Sequence, residues 1–221
     1  MYLREDKPGD KYVDDGSLVS FVSNLKATQK QDVLDSTLLA QLAANKHTDR
    51  FKDTEEWYKF YVNVMENVGW VIQSFNFNDY KTSQASFTLS QVMLEILSAM
   101  VGGEKVIMDV VKATLKGLEK STEGAKLFET NSASGENGNF QIIPCQVDKS
   151  GQVTVAFIGF FFEAQRFQGD FFFFDWKSQD IKLFYAKQAC TLNEAAYATV
   201  RQAVIEKLGD RRKKFIADLD I

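Results

Sequence analysis

Residues with chemical potential are few in this chain and widely separated. Glu163, Asp170 and Asp175 lie beside a dense run of phenylalanines, where loss of water raises a carboxyl pKa and can make a general acid. No second catalytic group stands at a fixed spacing from them, and with Arg166 nearby, Glu163 and Asp170 are expected to flank a solvated loop. Cys190 precedes a helix start, a position that lowers a thiol pKa, yet no histidine is close in sequence, so a buried apolar role is expected. The single histidine, His47, sits in Asn45-Lys-His-Thr-Asp-Arg50, the exit of a helix, where a cation complements the dipole. Gly102-Gly103-Glu-Lys105 has neither the flanking strand nor the Gly-Lys-Ser/Thr ending of a phosphate loop. Cys145 and Cys190 show no C-x-x-C spacing and are read as free thiols. The expectation is no catalytic constellation, no metal site and no cofactor, hence a protein that is not an enzyme.

Composition narrows the classes further. A net charge of −4, from 30 acidic and 26 basic residues, argues against nucleic acid as partner, because that affinity comes largely from neutralising phosphates. Hydrophobic content of 45% with 25% charged residues is that of a soluble globular chain, and no apolar run approaches the roughly 18–20 residues that span a bilayer. The charged stretch Met1 to Asp10 lacks the apolar centre of a standard signal peptide, so the chain is expected to be cytoplasmic as synthesised, with any export by a non-standard route.

Aromatic mass is concentrated between Gln152 and Lys187. Phe160, Phe161 and Phe162 precede a tip carrying Phe167, and Phe171 to Phe174 follow it, with Phe157 and Phe184 around them. Strands turn successive side chains to opposite faces, so such runs make both faces of a sheet apolar, and each must be covered. Two antiparallel hairpins are predicted: Phe140 to Val147 with Val153 to Glu163, joined by the Asp148-Lys-Ser-Gly151 turn, and Asp170 to Trp176 with Ile181 to Lys187. Pro144 is expected to confine its strand to an edge or a bulge.

The elements that must position this sheet are helical. Residues 1–16 read as a polar arm, and Leu18, Phe21, Val22 and Leu25 predict a helix from Ser17, followed by another capped at Thr28 and Gln31. Asp53-Thr-Glu-Glu56 opens a helix with an aromatic stripe that includes Trp57, Phe60 and Tyr61. Thr88 to Val101, whose only charge is Glu95, and the segment from Lys105 to Leu118 form an αα-hairpin broken at Gly102-Gly103. Thr130 to Asn139 reads as a surface loop, and Thr191-Leu-Asn-Glu194 as the capping box of a closing helix that ends at Gly209. The reading is α+β: one domain over 17–221, with a helical half (17–128), an antiparallel meander of about four strands (139–188), and closing helices (191–219).

From this pattern the leading functional expectation is a non-enzymatic interaction protein that presents Phe160, Phe162, Phe167, Phe172 and Phe174 to a protein partner or to another copy of itself. The alternative is a membrane-active toxin or virulence-type protein. In that reading the helical hairpin unpacks at the hinge Gly102 and Gly103, and Arg211, Arg212, Lys213 and Lys214 meet anionic lipid or an acidic partner. A third reading, carriage of a small apolar ligand between sheet and helices, rests on aromatic abundance alone.

Overall fold

The chain is described by a computed structural model over residues 9–73, 76–165 and 171–219. It opens with two short strands, β1 (Lys11–Asp14) and β2 (Ser17–Phe21). Two helices follow, α1 (Ala27–His47) and α2 (Thr54–Asn67), the second capped by the Asp53 carboxylate, which accepts from the Glu56 N–H at 3.3 Å. Short strands β3 (Trp70–Val71), β4 (Asn78–Asp79) and β5 (Ser86–Phe87) lead to three more helices, α3 (Leu89–Met100), α4 (Lys105–Lys120) and α5 (Thr122–Ser132). The chain then alternates between strands, β6 (Ala133–Ser134), β7 (Asn137–Val147), β8 (Val153–Ala164), β9 (Trp176–Lys177) and β10 (Ile181–Leu192). It closes with α6 (Glu194–Leu208), α7 (Arg211–Phe215) and β11 (Ile216–Asp218).

The main sheet runs β11-β1-β2-β7-β8-β10-β3, with β4 beside β10 and β6 beside β7. Its centre is the expected antiparallel meander of β7, β8 and β10, but β2 joins β7 in parallel, so the sheet is mixed. Alternation along the strands separates two cores. Phe140, Ile142, Ile158, Phe160 and Phe162 point to the side covered by α3, α4 and α5. Ile143, Cys145, Val155, Phe157 and Cys190 point to the side covered by α1, α2 and α6. The architecture is α+β with helices on both faces, which answers how a sheet apolar on two sides stays out of water.

Several expectations change. Ser17 to Phe21 is a strand rather than a helix, buried throughout, and its partner β1 falls within the stretch read as a polar arm. A strand buried on both faces has no alternation to betray it, and the five apolar residues among the eight from Leu18 to Leu25 fit either period. The first long helix starts at Ala27, with the Lys26 N–H donating to Gln29 Oε1 at 3.0 Å, not at a Thr28 cap. Pro144 lies in β7, inside the sheet between β2 and β8; pairing with β8 is interrupted at Ile143 and Pro144. Residues 130–139 are shared between the end of α5, β6 and the start of β7. Phe171 to Phe174 form a turn instead of a strand. The closing helix is capped by Asn193, which accepts from the Ala196 N–H at 3.0 Å, because Thr191 and Leu192 still belong to β10.

The turns hold as expected. Gly151 donates to the Asp148 carbonyl at 3.0 Å with φ +86°, the conformation that places glycine after a type I turn. Asp180 donates to the Lys177 carbonyl at 2.9 Å in the turn before β10, but the expected second hairpin does not form, because β9 pairs with β5 and β10 pairs with β8.

Candidate functional site: the helical hairpin and the face it covers

Helix α3 begins with a reciprocal cap. The Gln91 N–H donates to Thr88 Oγ1 and the Thr88 N–H donates to Gln91 Oε1, both at 3.1 Å. Its stripe of Leu89, Val92, Met93, Ile96 and Leu97 is buried, and its one charged residue, Glu95, accepts from the Tyr80 hydroxyl at 3.1 Å. Helix α4 buries Ile107, Val110, Val111, Leu115 and Leu118, turning Lys112, Lys116 and Glu119 outward. Through these stripes the hairpin rests on the face formed by Phe140, Ile158, Phe160 and Phe162. A buried hydroxyl pair, Ser20 Oγ with Thr114 Oγ1 at 2.7 Å, ties α4 to β2.

Gly102 and Gly103 join the two helices at φ +62° and +73°, left-handed angles that a side chain disfavours. Gly103 donates to the Ser98 carbonyl at 2.9 Å, closing α3, and nothing lies within 4 Å of where either glycine would carry a Cβ. The hinge is therefore bounded by its backbone and not by packing. Beyond it Val106 is 55% exposed, an apolar residue at the hairpin tip without cover.

The aromatic candidates divide sharply. Phe160, Phe162 and Phe172 are at most 1% exposed, which removes them as contact residues of the folded chain. Their rings are covered from within: Phe140 stacks on Phe160 at 4.9 Å, Phe171 meets Phe162 at 5.5 Å, and Phe128 of α5 meets Phe172 at 5.5 Å. The turn of Phe171 and Phe172 acts as a plug over the end of this core, held by the Trp176 Nε1–H donating to the Phe171 carbonyl at 2.9 Å. Phe174 is 48% exposed beside Trp176 at 4.9 Å. Phe167 lies outside the described residues, as do Arg166 and Asp170. On the opposite face Phe161 stacks on Phe184 at 4.4 Å, and Phe77 covers Phe161 at 5.0 Å.

The other cover, α1 and α2, is pinned by a buried polar network. Arg50 Nη1 donates to Asp15 at 3.2 Å and Nη2 to the Asn139 carbonyl at 3.1 Å, its guanidinium lying 4.6 Å from the Trp57 ring. Gln141 of β7 donates to the Tyr58 hydroxyl at 2.8 Å and accepts from the Ser17 hydroxyl at 2.8 Å. Gln41 donates to the Asp14 carbonyl at 2.8 Å, and Thr37 donates to the Asp14 carboxylate at 2.5 Å. Burial pushes the Asp14 carboxyl well above the usual range, with the Thr37 hydroxyl opposing and the Asp15 and Asp35 charges adding to the shift. Asp15 is also raised by burial, against the pull of Arg50. Further along α1, Arg201 holds Asp32 through two bonds at 2.7 Å, and Arg212 Nε meets Asp35 at 2.8 Å. Sequence spacing gives no sign of this network, because its members are spread over β1, β2, α1, α2, the loops between them, β7, α6 and α7.

The basic run behaves as separate residues. Arg212 is spent on Asp35, Lys213 pairs with Asp210 at 3.7 Å, and Lys214 sits 5.1 Å from the Phe215 ring. Arg211 donates to the Lys207 carbonyl at 3.0 Å. Both thiols are free and buried; burial pushes Cys190 up to about 12 and Cys145 well above its usual value, so neither is poised as a nucleophile. Among the described residues no group of three or more His, Cys, Asp or Glu side chains is arranged to hold a metal ion.

Comparison with known proteins gives no match to a family model and none to a curated protein. Ten chains among the solved structures are similar to this one, and three of them are as follows. One titled delta-endotoxin is 15% identical, with 87% of this chain and 86% of that chain covered and a TM-score of 0.46. The Evf virulence factor is 13% identical, with 92% and 82% covered and a TM-score of 0.40. Activated Cyt2Ba monomer from Bacillus thuringiensis subsp. israelensis is 11% identical, with 81% and 97% covered and a TM-score of 0.47. At such values the likeness assigns no activity to this chain.

Proposed function

We propose that this protein is membrane-active, releasing the α3–α4 hairpin from the sheet to bury its apolar stripes in a lipid surface. The observation that carries the reading is the make-up of the hairpin's seat, a stripe of Leu, Ile, Val and Met side chains on Phe and Ile. An apolar contact of this kind is driven by exclusion of water, at about 1.5–3 kcal/mol per large side chain, and hydrocarbon replaces it without loss. A polar seat would have to be rebuilt in lipid at a cost of several kcal/mol per unsatisfied group. Gly102 and Gly103 supply the turn about which the helices can separate.

Helix lengths set the depth. At 1.5 Å per residue the 12 residues of α3 and 16 of α4 extend about 18 and 24 Å, short of a hydrocarbon core of about 30 Å. No helix among the described residues is long and apolar enough to cross a membrane. These lengths support an interfacial position in this reading, apolar stripes inward, with the face of Phe140, Phe160 and Phe162 as the second surface offered to lipid or to another copy. Of the rings that the interaction-protein reading presented, Phe160, Phe162 and Phe172 are buried and Phe174 is half exposed, while Phe167 lies outside the described residues, so the hairpin is the better supported surface. Dye release from lipid vesicles tests the proposal. Leakage that appears with the intact chain and is lost when α3 is cross-linked to β8 is the expected result; absence of binding and leakage across lipid compositions and pH overturns it.

A further inference from the structure

Helices α1 and α6 run side by side in the same direction, Gln29 meeting Glu194 at 2.9 Å and Asp32 meeting Arg201 at 2.7 Å. Helix α6 stops at Gly209, with φ +50°, while α1 continues to His47. The last turns of α1 are left with apolar side chains and incomplete cover. Between them, α2 and the end of α6 lies a cavity of about 600 Å³. Its floor is Leu39, Leu42 and Ala43 of α1, Phe60 of α2 and Leu208 of α6. Its rim carries the cations Lys46, Lys207 and Arg211 together with His47, with no acid among the lining residues.

We propose that this cavity binds a single-chain anionic amphiphile, the chain lying over Leu39, Leu42 and Phe60 and a carboxylate head held by Lys46, Lys207 and Arg211. The volume falls in the range of small-molecule sites, roughly 300–1,000 Å³, and is too small to seat a partner helix. From Leu39 to Lys46 the helix rises about 10 Å, so tail and head contacts are separated along α1 as they are in such a ligand. Complementing two helix C-termini explains cations near these ends but not their gathering round one apolar floor. Lys46, Lys207 and Arg211 come from two chain segments 160 residues apart and are all exposed, ready for a ligand. His47 is turned to a different task, stacking on Phe60 at 4.1 Å with Glu56 3.4 Å from its Nε2, and so fixes the wall of the cavity. This site is on the outside of α1 and stands apart from the hairpin.

Calorimetric titration of the full chain with dodecanoate, below its micelle-forming concentration, tests the proposal against dodecyltrimethylammonium, which has the same tail and the opposite charge. Expected are saturable binding of dodecanoate at one per chain, no saturable binding of the cation, and at least a tenfold weaker dodecanoate Kd in Lys207→Glu/Arg211→Glu with unchanged circular dichroism. Should that double variant fail to fold, the exposed single change Lys46→Ala is expected to weaken binding about threefold or more. Equal binding of the two detergents, no binding of dodecanoate to the folded chain, or a Kd within twofold after charge reversal overturns it. The titration contains no bilayer, so its result is independent of vesicle leakage.

Discussion

The two faces of one sheet are closed by different physics. Over Phe140, Phe160 and Phe162 the cover is an apolar hairpin with a glycine hinge, whose fit depends on shape and water exclusion apart from the one hydroxyl pair of Ser20 and Thr114. Over Gln141 and Phe157 the cover is α1 and α2, fixed by Arg50, Gln41, Thr37 and Tyr58 through bonds that demand particular partners at particular distances. Burial alone would not distinguish them, since both cores are shielded by helices. The difference is in what each layer can exchange its neighbours for: lipid tails can stand in for an apolar seat, whereas nothing in the hydrocarbon core of a bilayer replaces a buried guanidinium's partners.

The comparison breaks if the polar side proves dispensable. Arg50→Ala leaves Asp15 buried without its cation and is expected to lower stability by about 3–5 kcal/mol in denaturant titration. On the apolar side Leu97→Ala is expected to cost about 2–5 kcal/mol through the cavity it leaves, and to raise vesicle leakage while Arg50→Ala does not. If the two variants change leakage alike, the faces are not functionally distinct. Gly103→Ala forces a side chain into a left-handed turn at about 1–2 kcal/mol. Because the site is open space, that cost should come with no loss of packing, and hydrogen exchange should quicken in α3 and α4 before α1.

The smallest effect at acid pH should come from Asp14→Asn. The Asp14 carboxyl is held above its unfolded value of about 3.9, so the folded chain keeps a proton that the unfolded chain releases. Stability from this group is complete below that unfolded value and is lost as pH rises through the folded pKa; the raised Asp15 and Asp35 act in the same direction. An amide is neutral throughout, so the variant should match the parent in acid and fall less steeply with rising pH. Parallel curves of Tm against pH would show that Asp14 does not set the slope.

Helices α2, α3, α4 and α6 were legible because each carries a stripe at helical spacing, and the hinge because two adjacent glycines have few other uses. What stayed hidden was whatever the network required. Asp14 and Asp15 look like a solvated arm until their partners arrive from α1 and the α1–α2 loop, and Asn139 looks like a loop residue until Arg50 reaches it. Polar residues report their own hydration in a sequence and say nothing of a partner far along the chain. The phenylalanines misled in the opposite sense: Phe171 and Phe172 have strand composition, but their use is to plug the end of a core, which a turn does as well as a strand.

Pairing of Tyr12 with Asp218 in β1 and β11 sets a schedule for the chain's birth. β1 is synthesised well before β11, and until that partner follows β1 keeps an open backbone edge. Such distant closure is slow, so the nascent chain should depend on keeping that edge apart from its neighbours' edges, and crowding during synthesis should lower its yield more than its final stability would suggest.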